Sequence, residues 1–108
     1  MADLWLDDRD IEPLVPLMAH LGVSRVARSA RGFLTAYRRA GYDPRRLTET
    51  WQRRRAAFVA RHMAQVEKRR EPLWTADGDP TRRHLALVAW AYSPDAVRLS
   101  RWVARHAG

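Results

Sequence analysis

The sequence predicts an all-α fold, a compact bundle of about five helices. Three observations predict it. Apolar residues recur at helical spacing over several long stretches. Period-two alternation of β-branched and aromatic residues, the mark of strands, is missing. Glycine, proline and aspartate punctuate the chain at intervals that leave room for five helices. There is no internal repeat and no low-complexity tract.

The first helix is expected over residues 11–21. Pro13 and Pro16 are tolerated only near its first turn. Asp8, Asp10 and Glu12 suit the positive end of its dipole, and Gly22 stops it. The second is expected over residues 24–40, closed by Gly41. At 100° per residue, Val26, Ala30, Phe33, Leu34 and Tyr37 share one side. Arg28, Arg31, Thr35, Arg38 and Arg39 share the other. The third and longest is expected over residues 48–70. Trp51, Phe58, Val59, Met63 and Val66 form its apolar arc, and Pro72 forbids continuation.

Residues 72–79 are expected to form a loop with a turn at Asp77-Gly78. Asp79 then serves as N-cap and Pro80 as first residue of a fourth helix, residues 80–92. That helix is apolar all round from Leu85 to Trp90, so it is expected at the centre of the bundle. Ser93-Pro94-Asp95 repeats the start signal for a fifth helix that ends near His106. There Ala96, Leu99 and Val103 face inward, and Arg98, Arg101 and Arg105 face out.

A chain of 108 residues is expected to be a single domain, with an acidic segment at 1–10 and a helical body at 11–106. Without cysteine there is no disulfide, thiolate metal site or cysteine nucleophile. No apolar run approaches the roughly 20 residues that span a bilayer. The start, with four aspartates and one arginine in ten residues, does not resemble a secretory signal. A cytoplasmic location and no membrane partner are therefore expected.

Net charge is +8, and it is split unevenly. Residues 1–22 carry −4, which leaves +12 on the remainder. Such a field attracts polyanions. Nineteen of the 20 basic residues are arginine. A GC-rich genome alone inflates arginine, so placement rather than number carries meaning.

Three helices each present a basic stripe: Arg28, Arg31, Arg38 and Arg39; Arg54, Arg61 and Lys68; Arg98, Arg101 and Arg105. A solvated face usually mixes both signs, and local acids here are few. The stripes suit general contact with a phosphate backbone; plain solvated faces are the competing reading. The start of the fourth helix adds a candidate anion site, with Thr81, Arg82 and Arg83 in its first turn. Trp74 just before it is placed to stack on a base. Asp79 competes there, because its own carboxylate takes the anion position.

Leu21-Gly22-Val23-Ser24-Arg25 has the look of a helix-turn-helix turn, although Arg28 stands where an apolar residue belongs. A glycine C-cap followed by a new helix is the simpler reading. His20, His62, His84 and His106 fall on four different helices, so no zinc pair arises from spacing. Nothing gathers His62, His84, Asp77 and Glu71 into a reacting group. No enzyme, metal or cofactor is expected. Trp51 and Trp90 sit in apolar patterns and are expected in the core. Trp5 and Trp74 are either exposed anchors or part of the packing.

Arg54-Arg55 with Phe58, Arg61-His62, Pro72-Leu73 and the segment Gly78-x-Pro80-Thr81-Arg82-x-x-Leu85-Ala86-Leu87-x-Ala89-Trp90 form a further pattern. Over residues 28–92 it resembles a family of small, basic bacterial and phage proteins that carry a domain of unknown function. The resemblance implies an all-helical fold and no particular activity.

The expectation from sequence is a small arginine-rich accessory protein that binds nucleic acid, DNA or RNA, through the phosphate backbone. Arg28, Arg31, Arg38, Arg39, Arg54, Arg61, Lys68, Thr81, Arg82 and Arg83 are the candidate contacts, and Trp74 the candidate stacking residue. The alternative is an adaptor or inhibitor that docks on an acidic protein partner. The acidic N-terminal segment either contacts a partner or folds back on the basic faces.

Overall fold

The computed structural model describes residues 4–106; the first three residues of the acidic segment lie outside them. Among the described residues the regular structure is helix, in five stretches. The first is bent: α1 (Asp8–Ile11), a 3-10 turn at Glu12–Leu14 and α2 (Val15–Leu21) run on from one another. Pro13 and Pro16 fall within the first two positions of the 3-10 turn and of α2. There a missing N–H costs little. Then come α3 (Phe33–Arg39), a 3-10 turn at Pro44–Arg46, α4 (Glu49–Arg69), α5 (Arg82–Val88) and α6 (Ala96–His106).

Every stretch contributes to the packing around one apolar core. Ile11, Leu14 and Met18 enter it from the first stretch, Phe33, Leu34 and Tyr37 from α3, Leu85 and Val88 from α5, and Leu99 and Val103 from α6. As expected, α5 is central: His84, Leu85, Leu87 and Val88 are all buried. The long α4 lies on the outside and buries only Arg55 and Val66, with Trp51, Phe58, Val59 and Met63 half-buried. A column of stacked rings holds it there. Tyr37, Phe33, Trp90, Phe58 and His62 follow one another at centroid distances of 5.5, 4.8, 4.5 and 3.9 Å.

The expected second helix is shorter than its pattern. Residues 24–32 are a series of turns, and the helix begins only at Phe33. Ser24 is left-handed at φ 57°, which breaks any helix from α2. Val26, expected inside, is 79% exposed, while Ala27 is 4% exposed. The turns fold over the start of α3, where the Ala27 carbonyl accepts the Leu34 N–H at 3.0 Å and the Ser29 carbonyl accepts the Thr35 hydroxyl at 2.6 Å. The helix-turn-helix reading fails here, because no recognition helix follows Gly22. That glycine is a left-handed C-cap at φ 68°, as expected.

The fourth helix also starts later than expected. Trp74 and Pro80 form an isolated antiparallel bridge, with Thr81 N–H to Leu73 carbonyl at 3.1 Å. The bridge keeps Pro80 extended, so Thr81 is the N-cap and accepts the His84 N–H at 3.3 Å. Asp79 is released from capping and accepts the Trp102 indole N–H at 3.1 Å. At the other end Ala91 is left-handed at φ 60°, which ends the helix short of Tyr92. The start signal at 93–95 works as expected. Ser93 Oγ accepts the Asp95 N–H at 3.1 Å and α6 follows.

The described part of the N-terminal segment packs on the body. Leu6 donates to the Ala91 carbonyl at 2.8 Å and accepts the Tyr37 hydroxyl at 2.7 Å. Trp5 lies against Tyr37 and Phe33. Beneath it is Arg55, 1% exposed, with its guanidinium carbon 3.6 Å from the Trp5 ring centroid. Arg55 donates to the carbonyls of Trp90 and Ala91, both at 2.9 Å, and to that of Leu4. One side chain thus ties α4, the end of α5 and the N-terminal segment together.

Candidate functional site

The candidate contacts divide into two groups. The first is already engaged within the protein. Arg38 makes a two-pronged pair with Glu12 at 2.7 and 2.8 Å, and Tyr42 donates to the same carboxylate. The Arg38 hydrogen bond holds Glu12 below the usual carboxylate range. Arg83 pairs with Glu71 at 2.7 and 3.1 Å and lies 2.6 Å from His62 Nδ1. Its hydrogen bonds hold Glu71 down in the same way. Burial lowers the pKa of His62, and the nearby Arg83 and Arg61 charges add to this.

Arg28 is half-buried and donates to the Val23 carbonyl at 3.0 Å. Arg82 donates to the Leu21 carbonyl. Thr81 is spent as an N-cap and donates to the Pro72 carbonyl at 3.0 Å. Trp74 is half-buried: its N–H goes to Asp95 at 3.0 Å and Arg98 covers the ring at 4.1 Å. Its role as a base-stacking residue is pre-empted. At the start of the fourth helix the side chains of Thr81, Arg82 and Arg83 all have partners within the protein.

The buried histidine beside that turn is structural. His84 is fully buried, with Nδ1 2.9 Å from the Leu73 carbonyl and Nε2 2.7 Å from Ser93 Oγ. A carbonyl only accepts, so Nδ1 carries the proton and Nε2 accepts from Ser93. Burial lowers its pKa. Among the described residues no three His, Asp or Glu side chains are placed to hold a metal ion.

The second group converges. Two adjoining clefts of about 330 and 150 Å³ share Ala36, Arg39 and Trp51. Arg46 lines the first and Arg31 the second. Arg54 lies over the Trp51 ring at 5.2 Å, a cation–π contact. Four arginines from four segments therefore line or cover the surface at one tryptophan: the 24–32 turns, the end of α3, the second 3-10 turn and α4. Among the described residues none of the four makes an ion pair. The nearest acids in sequence are taken. Asp43 pairs with Arg45 at 3.1 Å and Glu49 with Arg53 at 3.1 Å.

Local structure explains the convergence. Thr48 caps α4 by accepting the Trp51 N–H at 3.2 Å, which sets the rotation of the helix. Trp51 then meets Phe33 edge-on at 6.0 Å and Trp90 at 6.2 Å. Its ring is half-buried, not wholly in the core as expected. Its indole N–H has no hydrogen bond among the described residues, and no buried side-chain nitrogen or oxygen lacks one. The Trp51 N–H therefore reaches solvent. The exposed Arg61 and Lys68 continue from Arg54 along α4. At 1.5 Å per residue that stripe spans about 21 Å.

Arg46 and the outward side of Trp51 were missed by the stripe pattern. The signal was Pro44-Arg45-Arg46 in a short connection, two adjacent arginines beside one acid, Asp43, which pairs with Arg45.

No protein-family model, curated protein or solved structure matches this chain. The family resemblance over residues 28–92 has no match behind it, and functional inference rests on the chemistry of the site.

Proposed function

We propose that this protein is a small nucleic-acid-binding accessory protein whose contact surface is the basic cluster around Trp51. Arg31, Arg39, Arg46 and Arg54 would bind phosphates, and Arg61 and Lys68 would extend the track. The observation that supports the reading is the convergence of four arginines, none in an ion pair among the described residues, on the clefts at Trp51. Elsewhere the chain pairs its arginines when an acid is in reach, as with Arg38 and Arg83. A cluster left unpaired lowers its own repulsion by meeting a polyanion, which releases condensed counterions.

The test compares two double variants of equal charge. Arg39→Ala with Arg46→Ala is expected to weaken oligonucleotide binding by about tenfold or more and to flatten the salt dependence by one to two counterions. Arg101→Ala with Arg105→Ala removes two exposed charges from α6 and is expected to change affinity less than about threefold, through long-range charge alone. Fluorescence anisotropy over a salt series reads both. Equal losses from the two variants would replace a localised surface with diffuse attraction. Undetectable binding by the parent protein at about 150 mM salt would dismiss the reading.

A further inference from the structure

We infer that the Trp51 cleft takes an unpaired base, so that the preferred ligand is a single strand rather than a duplex. This rests on the nucleic-acid reading above and adds the substrate class. The indole N–H groups of Trp5, Trp51 and Trp90 have no hydrogen bond among the described residues, and of these three it is Trp51 that lines a cleft with Arg39 and Arg46. Those of Trp74 and Trp102 are bonded to Asp95 and Asp79. Trp51 keeps a solvent-facing N–H in a concave surface floored by Ala36, Ala40 and Leu47, with Arg39 and Arg46 beside it. It also keeps its orientation, because Phe33 and Trp90 hold it from behind.

A concavity lined by one indole and by arginines fits a base with phosphates on either side. A duplex offers no such fit. Its base faces are hidden in the stack and its phosphates lie on a convex cylinder, so Trp51 would contribute nothing to holding it. The exposed Arg54 side chain is the movable part. It covers the ring in the free protein at 5.2 Å and can swing to a phosphate when a base arrives. The Arg61 and Lys68 positions then carry the strand along α4, whose outer face is otherwise unoccupied by the fold.

The experiment measures affinity for a mixed-sequence strand of about 12 nucleotides, as DNA and as RNA, and for the matching duplex. Trp51→Leu is expected to reduce single-strand affinity by about tenfold, within the usual range for loss of one stacked base. Duplex affinity is expected to change less than twofold. Trp51→Phe, which keeps a ring, is expected to stay within about threefold of the parent on single strands. Because Trp51 also packs on the core, a second measurement uses the unaltered protein. A strand carrying photoreactive 5-iodouracil is cross-linked, and the modified residue is found by mass spectrometry. Cross-linking at Trp51 supports the inference. Cross-linking elsewhere, or equal single-strand and duplex affinities untouched by Trp51→Leu, overturns it while leaving nucleic-acid binding intact. Absence of binding to every strand and duplex removes the underlying reading as well.

Discussion

Arg55→Leu is expected to cost about 4 kcal/mol of folding free energy, far more than any exposed arginine. The substitution leaves the carbonyl of Trp90 without its donor and removes one donor each from the carbonyls of Ala91 and Leu4. Each orphaned buried acceptor costs about 1–3 kcal/mol. The cation–π contact with Trp5 goes too. In a domain of this size the loss lowers Tm by roughly 20 °C. Arg55→Lys is expected to recover about half. An ammonium keeps charge and donors but not the planar fork that reaches several carbonyls at once. The neighbouring Arg54→Leu, exposed on the next position of α4, is expected to stay within about 0.5 kcal/mol of the parent. Chemical denaturation of the three variants reads the difference. A cost for Arg55→Leu under about 1 kcal/mol would mean that the guanidinium does not tie the N-terminal segment to the body.

Gly32→Ala is expected to be the second large effect, at about 3 kcal/mol. A Cβ at residue 32 would overlap the carbonyl oxygens of Val26 and Ala27. These are backbone atoms, fixed by the Leu34 N–H bond to the Ala27 carbonyl. The turns over α3 would have to lift, and overpacking of this kind costs about 1–3 kcal/mol or more. Gly32 has φ −88°, so its need for glycine is one of space. Gly22 provides the contrast: it is left-handed at φ 68° with nothing near its Cβ position. Gly22→Ala is therefore expected to cost only about 1–2 kcal/mol, the ordinary conformational penalty. Thermal unfolding of both variants separates the two causes. Equal losses would show that the 24–32 segment yields to the extra methyl group.

Much of the fold was legible because local signals agreed. Thr48 at one end of α4 and Pro72 beyond the other bounded it, and Ser93-Pro94-Asp95 started α6. The 24–32 segment misled because its apolar and basic residues alternate at helical period, yet Gly32 is needed for close packing and Ser24 turns left-handed. Asp79-Pro80 misled because the bridge between Trp74 and Pro80 is a contact that capping rules do not contain. Arg55 was legible in principle. It lies four residues after Trp51 and three before Phe58, on the apolar arc of α4, where a lone arginine marks a buried guanidinium.

The site was half legible, for an electrostatic reason. Helical spacing shows which arginines share a face, but not which acids reach them from elsewhere. Glu12 reaches Arg38 across 26 residues and Glu71 reaches Arg83 across 12, so two candidates were neutralised by long-range pairing. Arg31, Arg39 and Arg54 came from two separate stripes and met at Trp51, which helix wheels drawn one at a time do not show.

The cationic cluster around Trp51 is the proposed place of nucleic-acid binding. Titrating the isotopically labelled protein with a short oligonucleotide tests it directly, because each tryptophan N–H gives its own NMR signal. The Trp51 signal is expected to move first and furthest, together with the backbone signals of Arg31, Arg39 and Arg46. Those of Trp74 and Trp102, held by Asp95 and Asp79, are expected to stay in place. A titration that moves the Trp74 or Trp102 signals and leaves Trp51 unchanged would contradict the account.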